Sequence, residues 1–212
     1  MFCLVVGLFI LLFSTHSSYR LPPPPSCSFE HSLVEELKYT GFERIRRVFN
    51  RAFQNDESKI PQQLPVVVDA GCGTGLVGEQ FRNVSSYLIG VDLSESIIQE
   101  AVKRRPGLYD ETIVGDITEV FREKHPISMI VAADSYIYFG DIEPLFESME
   151  AGLMDGGYAV FTMENASKEL EERYVCFVKL WSRGRNGFGS CIVCVLTRKV
   201  TICRSSVISL VV

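Results

Sequence analysis

Between residues 61 and 166, compact apolar runs alternate with stretches whose apolar residues recur every three or four positions. The compact runs are too short for buried helices and read as strands, and the periodic stretches read as amphipathic helices. Strands are expected at Val66 to Asp69, Tyr87 to Asp92, Thr112 to Val114, Ile127 to Ala132 and Tyr158 to Met163. Between them fall helices at Leu76 to Asn83, from Ser94 to Pro106, at Ile117 to Phe121 and at Glu143 to Leu153. Ser94 suits a helix N-cap, because its hydroxyl can accept from a free backbone N–H of the first turn. Pro106-Gly107 and Asp155-Gly156-Gly157 supply turn chemistry at the far ends. Strand–helix alternation with short turns implies a doubly wound, mostly parallel α/β sheet with helices on both faces.

The flanks read differently and set the expected segments. Residues 26–60 form N-terminal helices, with apolar residues Leu33, Val34, Leu37, Phe42, Ile45, Val48 and Phe49 and a break near Thr40-Gly41. In the atypical segment 167–212, Ser167 to Leu180 reads as a helix, followed by a glycine-rich basic loop, WSRGRNGFGS. The β-like runs after it either finish the sheet as antiparallel edge strands or belong to an altered C-terminus. Residues 1–25 pair an apolar run, Phe2 to Phe13, with the proline spacer Pro22 to Pro25. Twelve apolar residues fall short of the ~20 a membrane-spanning helix needs. They suit a cleaved leader, with Thr15 and Ser17 as the small residues before the cut. A leader implies only transient membrane contact and secretory or plastid-type import; the alternatives are an uncleaved anchor or a mis-assigned start, the latter implying the cytoplasm.

At 212 residues the chain is long enough for one sizeable core. Its net charge of -5 gives no basic footprint for nucleic acid. Arg44, Arg46, Arg47 and Arg51 cluster, but Glu35, Glu36 and Glu43 lie beside them, so the cluster reads as a solvated helix face. The seven cysteines do not form a ligand set. Cys191 and Cys194 share a β-like run, where residues three apart face opposite ways, so joint metal ligation is not expected.

The chemistry concentrates at the strand ends. VVVDAGCGTG, residues 66–75, is a buried strand, one carboxylate and then Gly71, Gly73 and Gly75 at alternate positions. Glycines there let a ligand reach the backbone. In an open α/β sheet ligands bind beyond the carboxyl ends of the strands. Asp69, Asp92, Asp116 and Asp134 each stand at such an end. Asp92, 23 positions after Asp69, is placed to accept from a ribose diol. Gly73-x-Gly75-x-x-Gly78 also fits a dinucleotide fingerprint, which keeps a nicotinamide oxidoreductase open. Asp69 argues against it, since a carboxylate before the loop repels a pyrophosphate and attracts a cation.

VVVDAGCGTG resembles the first motif of the class I S-adenosylmethionine (SAM)-dependent methyltransferases. LVEELKY, DAGCGTGLVGEQF, IGVDLSESII, YDETIVGDITEV, IVAADSYIYFGDIEPLF and MDGGYAVFTME extend the likeness over about two-thirds of the chain. In these the chain is similar to the small methyltransferases of type 11/12, and more closely to the TPR-associated and Williams-Beuren-region methyltransferase-like group. The resemblance implies a Rossmann-like fold and a SAM-binding core over residues 61–166. It places Asp69, Gly71, Gly73 and Gly75 at the methionine end of SAM, Asp92 at the ribose and Asp116 with Ile117 at the adenine, with Ala70 and Leu93 also among the cofactor-binding residues. Ala133 and Asp134 would line the wall near the methyl group. Asp134, Tyr136 and Tyr138 are the candidates for a base, where the acceptor needs one. The acceptor, a small molecule or a protein side chain, is not readable from the sequence, and GRNGFGS keeps only a trace of the group's substrate-covering loop. An inert SAM-binding protein is therefore the alternative.

Overall fold

The computed structural model describes residues 39–52, 61–136, 139, 141–164, 173–180, 190–195 and 200–205. The expected leader, the first N-terminal helix and the glycine-rich loop lie outside these residues.

Among the described residues, eight strands form one sheet in the order β3-β2-β1-β4-β5-β6-β7-β8. They are β1 (Leu64–Ala70), β2 (Ser85–Asp92), β3 (Glu111–Val114), β4 (Ile127–Ala132), β5 (Leu153–Glu164), β6 (Arg173–Leu180), β7 (Ser190–Val195) and β8 (Val200–Ser205). β1 to β5 run parallel and β5 to β8 antiparallel. The chain steps outward from β1 to β3, then returns to the other side of β1 with β4. That reversal opens a crevice at the carboxyl ends of β1 and β4.

Neighbouring residues on the central strands turn to opposite faces, and both are buried. Val68, Ile89, Ile130 and Phe161 join one core; Val67, Leu88, Met129 and Val160 join the other. This explains the unbroken apolar runs, since a parallel sheet is covered on both sides. Helices α1 (Gly41–Ala52) and α2 (Leu76–Phe81) supply Ile45, Phe49, Val77 and Phe81 to the second core. Helix α3 (Glu95–Arg104) buries Ile98 and Ala101. Helices α4 (Ile117–Glu123) and α5 (Glu143–Gly152) cover the first core with Val120, Phe121, Leu145 and Met149. Within the basic cluster on α1, Arg47 and Arg51 are exposed as expected. Arg46 instead lies over the rings of Phe49 and Phe81 and donates to Gln80 O at 2.9 Å.

Three expectations change. Residues 173–180 are strand β6, not the end of a helix. RYVCFVKL is dense in β-branched and aromatic residues, and it pairs along the otherwise open edge of β5, from Tyr158↔Lys179 to Glu164↔Arg173. The Asp155-Gly156-Gly157 turn lies inside β5 as a register shift: two steps on β4, Ile127 to Met129, oppose five on β5, Leu153 to Tyr158. Ser94 does occupy the N-cap of α3, but its hydroxyl makes no cap bond and meets Ser96 Oγ at 3.0 Å.

Candidate cofactor site

Parallel register brings the acidic strand ends to one edge. Asp69 is level with Gly90, and Asp92 lies two residues further on. Asp92 is in turn level with Val114, and Asp116 lies two residues beyond that. The three carboxylates therefore follow one another along the carboxyl edge of β1, β2 and β3. Asp134 follows β4 on the other side of β1, across the crevice.

The loop after β1 is a series of tight backbone turns. Gly71 and Cys72 donate to Val91 O at 2.8 and 2.9 Å, and Gly75 donates to Cys72 O at 2.9 Å. Gly71, Gly73 and Gly75 have φ of 71°, 55° and 99°, in the left-handed region that glycine tolerates. Two of them differ in what a side chain would meet. At Gly71 a Cβ would strike Ser135 Oγ, whereas at Gly73 it would meet nothing within 4 Å. Gly73 is thus the point where the backbone lies open to an incoming group. Ala70 is fully buried, and its carbonyl accepts from Ser135 Oγ at 2.9 Å.

Asp92 ties the loop to β2. Its Oδ2 accepts from Gly73 N at 3.1 Å and its Oδ1 from Ser94 N at 2.9 Å. A carboxylate offers about four lone-pair positions, so capacity for a diol remains. Burial raises its pKa, opposed by the Ser94, Gly73 and Leu93 amides. Leu93 beside it is 66% exposed, an apolar side chain held at the rim. Asp116 is the N-cap of α4: its Oδ1 accepts from Thr118 N at 2.7 Å and from Thr118 Oγ1 at 2.8 Å. Ile117 buries its side chain in the core, so toward the rim it offers only the backbone N–H of a first-turn residue.

Asp69 is fully buried at the base of the loop. Its Oδ2 accepts from the Tyr109 hydroxyl at 2.7 Å, while its Oδ1 is buried with no hydrogen-bond partner. Burial pushes its pKa up to about 7; the Tyr109 hydroxyl and the Gly78 amide pull it down, and Asp92 pushes it up again. An orphaned buried carboxylate oxygen is costly and marks a place where a donor belongs. Burial, then the charges of Asp69 and Asp92, also raise the Cys72 thiol well above its usual value, so this buried cysteine stays a neutral thiol.

Across the crevice, Asp134 has φ 55°, a strained value for a residue with a side chain. Thr162 on β5 holds it: Thr162 Oγ1 accepts from Asp134 N at 2.6 Å and donates to Asp134 Oδ1 at 2.9 Å. Ala133 and Asp134 are both half-buried there. Tyr136 is buried against Phe139 and Phe161, with its hydroxyl unpartnered and its pKa raised by burial. Tyr138 lies outside the described residues.

The sequence reading missed Tyr109, Ser135, Thr162 and Arg105. Arg105 donates to Thr74 O at 3.0 Å and pairs with Glu79, bracing the glycine loop from outside. Tyr109, Ser135 and Thr162 lie within the family-like strings without a role assigned there, Arg105 lies outside them, and each acts through a contact distant in sequence. The one available signal was the polar turn Arg105 to Asp110 beside two glycines that leave room for a ring.

A doubly wound sheet with a glycine-rich loop and acidic strand ends at its switch point defines a cofactor-binding α/β domain. Comparison with known proteins narrows this further. Residues 67–157 match the family described as methyltransferase domain. The bovine (Bos taurus) 18S rRNA (guanine-N(7))-methyltransferase is 29% identical, over 53% of this chain and 44% of that protein. The chain thus spans under half the length of this curated relative. A S-adenosylmethionine-dependent methyltransferase structure from Clostridium acetobutylicum shares the fold with TM-score 0.54 and 17% identity, covering 84% of this chain and 77% of that one. A Methanococcus maripaludis protein assigned to the same class gives 0.51 and 18%, covering 74% and 71%. Residues 67–157 thus match a methyltransferase domain, and the fold is that of SAM-dependent methyltransferase structures.

Proposed function

We propose that this protein transfers the methyl group of SAM to an acceptor that is a small molecule or a protein side chain. One observation carries the reading: the open backbone at Gly73 is bonded to Asp92, in the loop that follows the buried, half-satisfied carboxylate of Asp69. The residues present fit SAM. Asp69 offers an anionic acceptor to an α-ammonium group, Gly73 gives close backbone approach, and Asp92 retains acceptor positions for the ribose hydroxyls. Leu93 offers an apolar surface for the adenine ring, and Asp116 with the Ile117 amide stands at its polar edge.

SAM supplies an electrophilic methyl carbon, already activated by the adjoining sulfonium. The protein's part is alignment, an effect that can supply about 7–11 kcal/mol. The glycine turns and Asp92 fix the adenosyl side, while Asp134, locked by Thr162, shapes the opposite wall. A base is required only for an acceptor protonated at neutral pH. Asp134 is the described candidate; the Tyr136 hydroxyl is buried in the core and stays protonated.

The test begins with calorimetric binding of SAM and S-adenosylhomocysteine to the full chain and to Asp92→Ala. Micromolar binding, lost in the variant, supports the reading, and absence of binding to both ligands refutes it. Labelled SAM is then offered with metabolite, protein-lysate and RNA fractions. The curated relative's name gives an RNA acceptor for that protein, whereas the net charge of -5 here disfavours a polyanion. Binding without transfer to any fraction identifies the inert alternative. We also propose that Phe2 to Phe13 act as an import leader, which N-terminal sequencing of the mature protein tests.

A further inference from the structure

We propose that Tyr109 is a positioning residue for the cofactor's aminoacyl group: its hydroxyl fixes Oδ2 of Asp69 and turns Oδ1 toward the ligand. The inference rests on the reading of the site as a SAM site. It gives a role to a residue to which the resemblance assigns none.

The space for Tyr109 is built by glycine. A Cβ at Gly78 would lie 2.6 Å from the Tyr109 hydroxyl oxygen, and one at Gly90 would lie 2.9 Å from its ring. The ring therefore rests on β2 and α2 at two places without side chains, and its hydroxyl reaches Asp69 Oδ2 at 2.7 Å. The segment carrying it is anchored on both sides. Leu108 O accepts from Arg82 at 3.1 Å, and Asp110 Oδ2 accepts from Arg82 Nη1 at 2.6 Å and from Leu88 N at 2.7 Å. A tyrosine held this way is a rigid donor. It can satisfy one oxygen of Asp69 and leaves the other, Oδ1, buried and unpaired. Nothing else in the described structure fills that position. A ligand ammonium is a donor of the right charge for it.

The groups facing Asp69 come from each neighbouring element. They are Tyr109, the Cys72 thiol in the loop, Asp92 on β2 and the Gly78 amide of α2. On β4 the residue level with Asp69 is Val131, which brings no charge. Among these groups, Tyr109 is the strongest that favours the ionised form of Asp69. Removing its hydroxyl weakens both the orientation and the charge of the carboxylate.

The test measures affinity for S-adenosylhomocysteine and for methylthioadenosine, which lacks the aminoacyl group, against pH in wild type and Tyr109→Phe. The phenylalanine keeps the ring in its glycine-lined space. Loss of a hydrogen bond to a charged group predicts about tenfold weaker homocysteine-ligand binding near neutral pH. The acidic limb of its pH profile should move up by about one unit, with methylthioadenosine affinity unchanged. Site-specific fluorotyrosine at 109, a stronger donor, should move the limb down, and it decides the matter if Tyr109→Phe fails to fold. Equal losses for both ligands, or an acidic limb that stays in place in the variants, overturn the positioning role. Failure of the wild type to bind either ligand overturns the SAM reading itself, a separate result.

Discussion

Asp69→Asn separates the stability of the fold from its ligand chemistry. The Asp69 carboxyl has a pKa near 3.8 in the unfolded chain, and burial raises it to about 7 in the folded one. The folded state then holds the proton more tightly. The stabilisation is fully present below the unfolded pKa and drains away as pH rises through the folded one. A shift of about three units amounts to about 4 kcal/mol lost by alkaline pH, of which about 2.5 kcal/mol falls between about pH 5 and about pH 8. The asparagine does not titrate, so its stability relative to wild type should climb by that amount over this range. It leaves one buried amide edge where Oδ1 stood, a pH-independent cost of about 1–3 kcal/mol. Urea unfolding of both unliganded proteins at the two pH values measures the difference directly. A gap between variant and wild type that is the same at both, within about 0.5 kcal/mol, refutes the assignment of a charged, unpaired Asp69. The same variant should bind S-adenosylhomocysteine at least about tenfold more weakly, so stability gained at alkaline pH comes with binding lost.

Four further outcomes follow from the same contacts. Wild-type affinity for S-adenosylhomocysteine should fall as pH drops below about 7, as Asp69 takes up its proton, a trend that calorimetry against pH will show. Gly71→Ala should cost about 2 kcal/mol or more in urea unfolding, because it combines φ 71° with a clash against Ser135. Replacing Ser135 by glycine in that background should recover only part of the loss, since the backbone strain stays. Ser128→Ala should cost about 1–3 kcal/mol without changing ligand affinity, since buried Ser128 accepts from Val66 N at 2.9 Å and donates to Val66 O at 2.5 Å.

What the sequence made legible was local in origin. The apolar runs ending in Asp69 and Asp92 and the run Ile127 to Ala132 lie on strands, because a strand buried on both faces leaves no polar position to blur its limits. The glycine loop was readable because positive φ narrows the choice of residue. The grouping of Asp69, Asp92 and Asp116 followed from topology, since parallel strands carry successive carboxyl ends to one edge. Residues 173–180 misled for the opposite reason. Their helical and extended patterns are both plausible in isolation, and only the unpaired edge of β5 decides between them. Tyr109 was invisible because its role depends on absences elsewhere, at Gly78 and Gly90, two elements away. Asp69 stands out in the sequence, but its burial and its orphaned oxygen belong to tertiary packing.

The charge around the loop finally discriminates between cofactors that share this fold. Asp92 lies close enough to Asp69 to oppose its ionisation, and both lose solvation by burial. A pyrophosphate placed over Gly73 would add negative charge beside two carboxylates already held against their preference, with Oδ1 of Asp69 still unsatisfied. An ammonium and a sulfonium reverse each of these terms, since they lower both carboxyl pKa values and supply the missing donor. The binding of a cationic ligand should therefore release the proton that Asp69 holds at neutral pH. Calorimetry of S-adenosylhomocysteine in buffers of different ionisation enthalpy should show proton release between about pH 6 and about pH 7.5, fading above the range where Asp69 is already charged. Proton uptake, or no exchange across that range, would mean that the carboxylate and the ligand's cation do not meet.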